Sequence, residues 1–310
     1  MVKVYIDGKE GTTGLKIYER MAVRDDVELI TISDELRKDP AERKKCINAS
    51  DITFLCLPDQ ASIEAVSFVE GNTRIIDAST AHRTNPDWAY GFPELGDDFR
   101  SKITTSNRVA VPGCHASGFL SIVYPLVKLG ILPRDYPIVC HSISGYSGAG
   151  KKAIAQYADP DRSIDLDSPR QYAMAQTHKH LPEMQLIPGL TYKPLFTPII
   201  ADFYSGMEVT IPLYTRLLNG NQTVESVFKA LSDYYGGQKM IKVEKNFGDD
   251  IQNFMPANAL SGKNTMTITV HGNDDRVVIT SIFDNLGKGA SGAAMQCMNV
   301  MLGLAEDSYL

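Results

Sequence analysis

The first hundred residues alternate short apolar runs with segments of helical period, and few folds accommodate that order. "VKVYID", "VELITIS", "DITFLCLP" and "TRIIDAS" read as strands, with "TTGLKIYERMAVR", "PAERKKCINA" and "ASIEAVSFV" as the helices between them. Apolar strands separated by helices predict a parallel sheet covered on both faces. That is the doubly wound α/β arrangement, in which ligands lie at the carboxyl ends of the strands. After Cys114 the pattern changes. "YPIVCHSISG", "SGMEVTIPLY", "NTMTITVHG" and "DRVVITSIFDN" are longer strand-like stretches. The last two form an antiparallel pair around the turn Gly272-Asn273-Asp274-Asp275. Within "TVESVFKALSDYYG", Thr223 caps a helix, but Ser226 three residues on does not supply the Glu or Gln of a capping box. The expectation is two domains: a doubly wound one over 1–113, and an α+β one over 114–285 with a mostly antiparallel sheet.

Composition limits the partners. The 310 residues carry a formal charge of -6, so no basic surface suits nucleic acid or an anionic membrane. No window approaches the roughly 20 apolar residues of a membrane span. The amino terminus, "MVKVYIDGKEG", enters a strand directly, without the basic-then-apolar pattern of a signal segment. The five cysteines, Cys46, Cys56, Cys114, Cys140 and Cys297, have no metal-ligand spacing. Cys56 and Cys140 lie in strand-like runs and are expected to be buried. Reduced thiols in a cytoplasmic protein are the expectation.

Between the first strand and first helix, "YIDGKEGTTGLKIYERM" places Gly8, Gly11 and Gly14 at G-x-x-G-x-x-G spacing rather than the usual G-x-G-x-x-G. Such a triplet also serves a plain tight turn. At the first strand–helix junction of an alternating chain, it reads as a loop that lets the backbone approach a pyrophosphate on the helix amino terminus. Thr12 and Thr13 can cap that helix or donate to a phosphate. The second strand leads into "ISDELRKD". Asp34 there suits a ribose hydroxyl and NAD, while Ser33, Arg37 and Lys38 suit a 2'-phosphate and tilt the reading toward NADP.

Cys114 follows Pro112-Gly113 where a strand gives way to the apolar helix "CHASGFLSIVYPLV". A helix amino terminus favours a thiolate, the nucleophilic form. Pro125 predicts a kink or an early stop in that helix. A second stretch, "AQTHKHLPEMQ", carries His178 and His180, which would face apart on a helix, so that at most one reaches the thiol. Pro182 and Glu183 suit the first turn of a helix there. A metal is not expected, because no third ligand stands nearby. A third stretch, "SISGYSGAGKKA", is a donor-rich loop suited to a phosphate or carboxylate, but Lys152 stands where a Walker loop needs Ser or Thr.

Taken in order, "IDGKEGTTGL", "LCLPDQAS", "IIDASTAHR", "YGFPEL", "VPGCHASG", "SGYSGAGKKA", "THKHLPEM" and "DNLGKGASGAAMQCMN" carry a resemblance over essentially the whole chain. The chain resembles the short form of the N-acetyl-gamma-glutamyl-phosphate reductases, relatives of the aspartate-semialdehyde dehydrogenases. The resemblance implies an NADPH-dependent reductive dephosphorylation in arginine biosynthesis, acting on a small acyl phosphate through a cysteine thioester. It implies that Cys114 is the nucleophile and His180 the acid/base. Arg83, Ser147, His178 and Glu183 become substrate contacts. Gly8, Gly11, Thr12, Thr13, Gly14, Ser33, Arg37, Lys38 and Asn285 become cofactor contacts. It further implies that 286–310 returns as a helix to complete the nucleotide domain, and that the antiparallel sheet forms the interface of a homodimer or homotetramer. Many relatives read G-C-Y-P-T at the nucleophile where this chain reads G-C-H-A-S, which leaves the role of His115 open. Aspartyl and N-acetyl-aminoadipyl phosphates are the alternative substrates, since one methylene is worth only about 1–3 kcal/mol of discrimination. A non-catalytic regulatory protein would not need both Cys114 and His180. A Cys/His hydrolase would not need the nucleotide loop.

Overall fold

In the computed structural model, which describes residues 1–245 and 254–310, the chain divides into two units: 1–113 with 290–310, and 114–289. In the first unit, β1 (Val2–Asp7), β2 (Val27–Ile30), β3 (Ile52–Leu55), β4 (Arg74–Asp77), β5 (Ala89–Tyr90) and β6 (Arg108–Ala110) form one sheet. Its order is β2-β1-β3-β4-β6-β5, with every pairing parallel. The helices between are α1 (Thr12–Met21), α2 (Pro40–Ala49), α3 (Asp59–Ser67) and α4 (Asp97–Thr105). Alternate residues of β1 enter different cores. Val4 and Ile6 pack with Ile17, Phe54 and Val109, whereas Tyr5 packs with Ile47, Leu55 and Ile75. That period of two, apolar on both sides, is what a sheet covered on both faces requires. The carboxyl-terminal helix, Gly292–Met301, supplies Ala294, Met295 and Met298 to the first of these cores.

The strand order reverses between β1 and β3. Open parallel sheets take their ligands in the crevice at such a point. A buried ion pair of 3.0 Å between Arg43 of α2 and Asp7 anchors α2 at the end of β1. Two expected elements are shorter than the sequence suggests: α1 ends at Met21, and β2 keeps only four residues. Cys140 is buried as expected, but Cys56 lies one residue past β3 and is only half-buried.

The second unit contains α5 (Cys114–Lys128), β7 (Val139–Gly145), α6 (Lys151–Ala158), β8 (Arg170–Gln171), α7 (Leu181–Leu186) and β9 (Leu195–Ala201). After these come β10 (Met207–Tyr214), α8 (Val224–Tyr234), β11 (Ile241–Glu244), β12 (Met266–Gly272) and β13 (Arg276–Phe283). Its seven strands run β11-β12-β13-β10-β7-β9-β8. The β11–β12 and β7–β9 pairs are parallel and the other four antiparallel, so the sheet is mixed but mostly antiparallel. The β12–β13 turn closes with the Asn273 N–H donating to the Arg276 carbonyl at 2.9 Å.

Two local expectations need correction. Pro125 does not stop α5, which runs on to Lys128. Proline removes the N–H that would bond the carbonyl four residues back, here that of Ser121. The Tyr235 hydroxyl donates to that carbonyl at 2.7 Å and replaces the missing donor. The capping box of α8 is also complete. The Ser226 N–H donates to Thr223 Oγ1 at 3.1 Å, and the Thr223 N–H donates to Ser226 Oγ at 2.9 Å. Serine is long enough here to stand in for the usual Glu.

Tyr235→Phe should leave the buried Ser121 carbonyl without this donor and lower unfolding stability by about 1–3 kcal/mol. Urea denaturation of the variant beside the parent chain measures the loss, and an unchanged midpoint would remove Tyr235 from this role.

Candidate active site

In the first unit the glycine turn leads from β1 into α1. Gly8 has φ +88°, and a Cβ there would lie 2.5 Å from the Cys56 carbonyl oxygen, so the chain itself demands glycine. Gly14 packs against the Gly8 carbonyl too closely for any side chain. Gly11 is different. Its φ is -70°, and a Cβ would come no nearer than 3.5 Å to the protein. It caps α1 without a side chain, so the amides of the first turn, including those of Thr12 and Thr13, receive no side-chain cap. A cradle of amides kept clear by a glycine the fold does not need fits a pyrophosphate. Ser33, Asp34, Arg37 and Lys38 lie on an exposed turn beyond β2, closed by the Leu36 N–H donating to the Ser33 carbonyl at 3.1 Å. Arg83 is buried. Its Nε donates to the Val111 carbonyl at 2.9 Å and its Nη2 to the Ala78 carbonyl at 3.1 Å. It thereby ties the turn after β4 to the segment after β6.

In the second unit Cys114 opens α5 and is partly exposed. Gly289 lies against it; a Cβ at 289 would sit 3.0 Å from the Cys114 Cβ. His115 points into the protein. Its Nδ1 is 2.7 Å from Ser142 Oγ, and its Nε2 is 2.8 Å from the Tyr172 hydroxyl. The rings of His178 and His180 each lie 5.5 Å from that of His115 and 4.7 Å from one another. The face-apart expectation for these two histidines therefore fails. They are not on a helix: α7 begins at Leu181, with His180 as its N-cap. The preceding loop folds both rings onto His115, with the His180 N–H donating to His178 Nδ1 at 3.1 Å.

Three devices hold that loop. The Tyr172 N–H donates to the Pro198 carbonyl at 3.0 Å. The Gln176 side chain pairs with the Phe196 backbone, accepting from its N–H at 2.9 Å and donating to its carbonyl at 2.7 Å. Ala173 and Gln176 take left-handed φ values of +53° and +56°, a conformation that costs non-glycine residues energy and recurs at functional sites. Glu183 is buried in the first turn of α7. Burial, and then the neighbouring His178, push the His115 imidazole down to about 3, so it stays neutral. Burial and the nearby Cys114 push the Tyr172 hydroxyl up, which keeps it protonated.

Ser147 and Asn285, 138 positions apart, meet in one buried network. Asn285 Nδ2 donates to Ser147 Oγ at 3.0 Å, and its Oδ1 accepts from the Gly206 N–H at 2.8 Å. Asp284 gathers the adjoining loops. It accepts from Ser205 Oγ at 3.1 Å, from the Leu286 and Gly287 amides at 2.7 and 3.0 Å, and from the Gly262 amide. Sequence reasoning counted Ser142 in a donor-rich loop, whereas it lies on β7 with its hydroxyl on His115, and it missed Tyr172, Gln176 and Asp284. Only Asp284 had a local signal, as the acid beside Asn285 before a glycine-rich turn. No group of three metal-ligating side chains occurs among the described residues. No helix among them is long and apolar enough to cross a membrane.

The architecture has known counterparts. The family model described as the semialdehyde dehydrogenase NAD binding domain matches residues 22–103, and that of the semialdehyde dehydrogenase dimerisation domain matches 114–285. An aspartate semialdehyde dehydrogenase from Francisella tularensis shares the fold, with TM-score 0.74 at 16% identity over 97% of this chain and all of that one. Fold and family models thus define an oxidoreductase of the semialdehyde dehydrogenase class, with an NAD(P)-binding domain and a dimerisation domain. The N-acetyl-gamma-glutamyl-phosphate reductase of Burkholderia ambifaria is 44% identical over 306 residues, 98% of this chain and 97% of the relative. N-acetyl-gamma-glutamyl-phosphate reductase 2 of a Nostoc species is 43% identical over 315 residues, 98% of each chain. The chain belongs to the N-acetyl-gamma-glutamyl-phosphate reductase family.

Gly8→Ala should destabilise the fold by more than about 1 kcal/mol, the cost of left-handed φ alone, with the Cys56 clash added. Gly11→Ala should leave the melting temperature unchanged yet weaken nucleotide binding in a fluorescence titration; equal melting losses in both would remove the distinction. The His115 environment also predicts a pH dependence. The unfolded chain takes up a proton below about pH 6.5 that the folded ring refuses. Stability is therefore full above pH 6.5 and falls by about 2 kcal/mol by pH 5 from this group. Urea unfolding at both pH values should show that part of the slope lost in His115→Gln; an identical slope would contradict the neutral ring.

Proposed function

We propose that the protein reduces N-acetyl-L-glutamyl 5-phosphate to N-acetyl-L-glutamate 5-semialdehyde with NADPH, in arginine biosynthesis. The observation that carries the reading lies at the amino end of α5, where a partly exposed Cys114 precedes His115, the ring onto which those of His178 and His180 fold. The reductases of the same name, 44% identical over nearly all of the chain, support this substrate. Cys114 acts as the nucleophile. Its sulfur bonds the acyl carbon, the carbon–oxygen bond to phosphate breaks, and phosphate leaves with the electron pair. The bound nicotinamide supplies the hydride. Cys114 then releases the semialdehyde as the hemithioacetal collapses, and the thiolate is restored. His180, buried at the head of α7, accepts the thiol proton at the outset and manages the hemithioacetal proton. Phosphate leaves readily and a thioester accepts hydride more readily than an ester, so a thiol serves both halves of the reaction.

His178 and Glu183 bind the substrate, together with Ser147 in its network with Asn285. Asn285 contributes on the nicotinamide side. Arg83, whose guanidinium ties the turn after β4 to the segment after β6, serves the phosphate. Gly8, Gly11, Thr12, Thr13 and Gly14 hold the pyrophosphate. Ser33, Arg37 and Lys38, exposed on one turn beyond β2, favour NADPH over NADH. The active form is a homodimer or homotetramer assembled through the seven-stranded sheet, in keeping with the dimerisation-domain match. Five free thiols suit the cytoplasm.

NADPH oxidation with enzymatically generated N-acetylglutamyl phosphate, beside aspartyl phosphate and beside NADH, tests the whole reading. The expected result is turnover with the first pair, none in Cys114→Ala, and a loss of at least about 100-fold in His180→Asn that exceeds the loss in His178→Asn. Turnover retained without the thiol would refute the mechanism. Aspartyl phosphate as the better substrate would refute the pathway.

A further inference from the structure

The residue after the nucleophile, His115, has no part in the reaction as described, yet its ring is buried at the centre of the histidine cluster. It bridges two hydroxyls, Ser142 Oγ at 2.7 Å and the Tyr172 hydroxyl at 2.8 Å. A neutral imidazole has one N–H and one lone pair, so one hydroxyl must donate to the ring and the other must accept from it.

The surroundings decide which. Ser142 is fully buried on β7, and its hydroxyl bonds no other group among the described residues. A buried O–H with a single possible acceptor donates to it. Ser142 therefore donates to Nδ1, the proton resides on Nε2, and Nε2–H donates to the Tyr172 oxygen. The Tyr172 O–H then cannot point into the ring. No other protein acceptor meets it among the described residues, and it stands at the ring of His115, whose chain neighbour is Cys114. The backbone bond from Tyr172 to Pro198, at 3.0 Å, anchors the main chain that carries it to β9.

We propose that His115 is a positioning residue: anchored on Ser142, its ring turns the Tyr172 O–H toward Cys114 and the acyl oxygen held there. The hydroxyl stabilises the thiolate before attack and the oxyanion that forms after it. The proposal rests on the reading of Cys114 as the nucleophile.

Alkylation of Cys114 by iodoacetamide at pH 7 tests it without substrate, so a wrong acyl phosphate cannot mask the outcome. Cys114→Ala supplies the background of the other thiols, and thermal unfolding confirms that each variant is folded. Tyr172→Phe should slow alkylation about threefold, a lost hydrogen bond to the thiolate partly offset by the greater nucleophilicity of a more basic sulfur. Ser142→Ala should slow it similarly, because Nδ1 is then free to carry the proton and Tyr172 turns its own into the ring. The double variant should be no slower than Tyr172→Phe alone, since both act through one hydroxyl. Multiplying effects would give a double variant about ninefold slower and would overturn the relay, as would a parental rate in Tyr172→Phe. Full coupling with no turnover of N-acetylglutamyl phosphate would leave the relay standing and refute the substrate.

Discussion

Helix α5 lies so close to the seven-stranded sheet that no side chain fits at Gly118. A Cβ there would overlap Val209 of β10 and lie 2.8 Å from the Phe283 ring of β13. That approach sets the depth of the helix and so the position of Cys114 and His115 at its amino end. The same Val209 is paired in register with Ser142 of β7 and Ser281 of β13. Ser142 holds the His115 ring, and Ser281 meets Ser121 of the helix at 3.3 Å. Helix and sheet are thus joined by polar contacts beneath the end of the helix that carries Cys114. Farther along, Tyr235 supplies the donor that Pro125 lacks, so the helix keeps its course to Lys128.

Around this frame the loops do the chemical placement. The segment from Tyr172 to His180 contains two left-handed residues and is held by backbone and side-chain amides to β9. It brings the rings of His178 and His180 onto His115. Burial there keeps the His115 imidazole neutral at working pH. A neutral ring can orient a neighbouring hydroxyl, whereas a charged one beside the thiol would only add a cation. Asp284 holds the turn that carries Gly289, which lies close against Cys114.

The nucleotide-binding part was legible because its signals are local. The strands of the parallel sheet announce themselves by apolar residues on both faces, and Gly8 and Gly14 by turns that admit nothing larger. Element ends were less legible: β2 stops at Ile30, where its apolar run continues to Ile32, because only four of its residues find partners on β1. The helical reading of His178 and His180 erred for a comparable reason. Pro182 marks a helix start, and both histidines precede it. The sequence argues against the Thr223–Ser226 box because serine is an unusual third-residue partner, and only the backbone geometry shows that its hydroxyl reaches.

By itself the sequence determined a doubly wound unit with a glycine turn at its first strand–helix junction, a mostly antiparallel second unit, a thiol at a helix head and a family. All of these are written in periodicity, turn residues and motifs that lie within a few positions of one another. The tertiary structure decided the rest. It alone pairs Ser142 with His115 and Tyr172, joins Ser147 to Asn285, and gives the Ser121 carbonyl its donor in Tyr235. These partners stand 27 to 138 positions apart. No local pattern links them, because hydrogen-bond partnership across such distances is set by how helix and sheet pack.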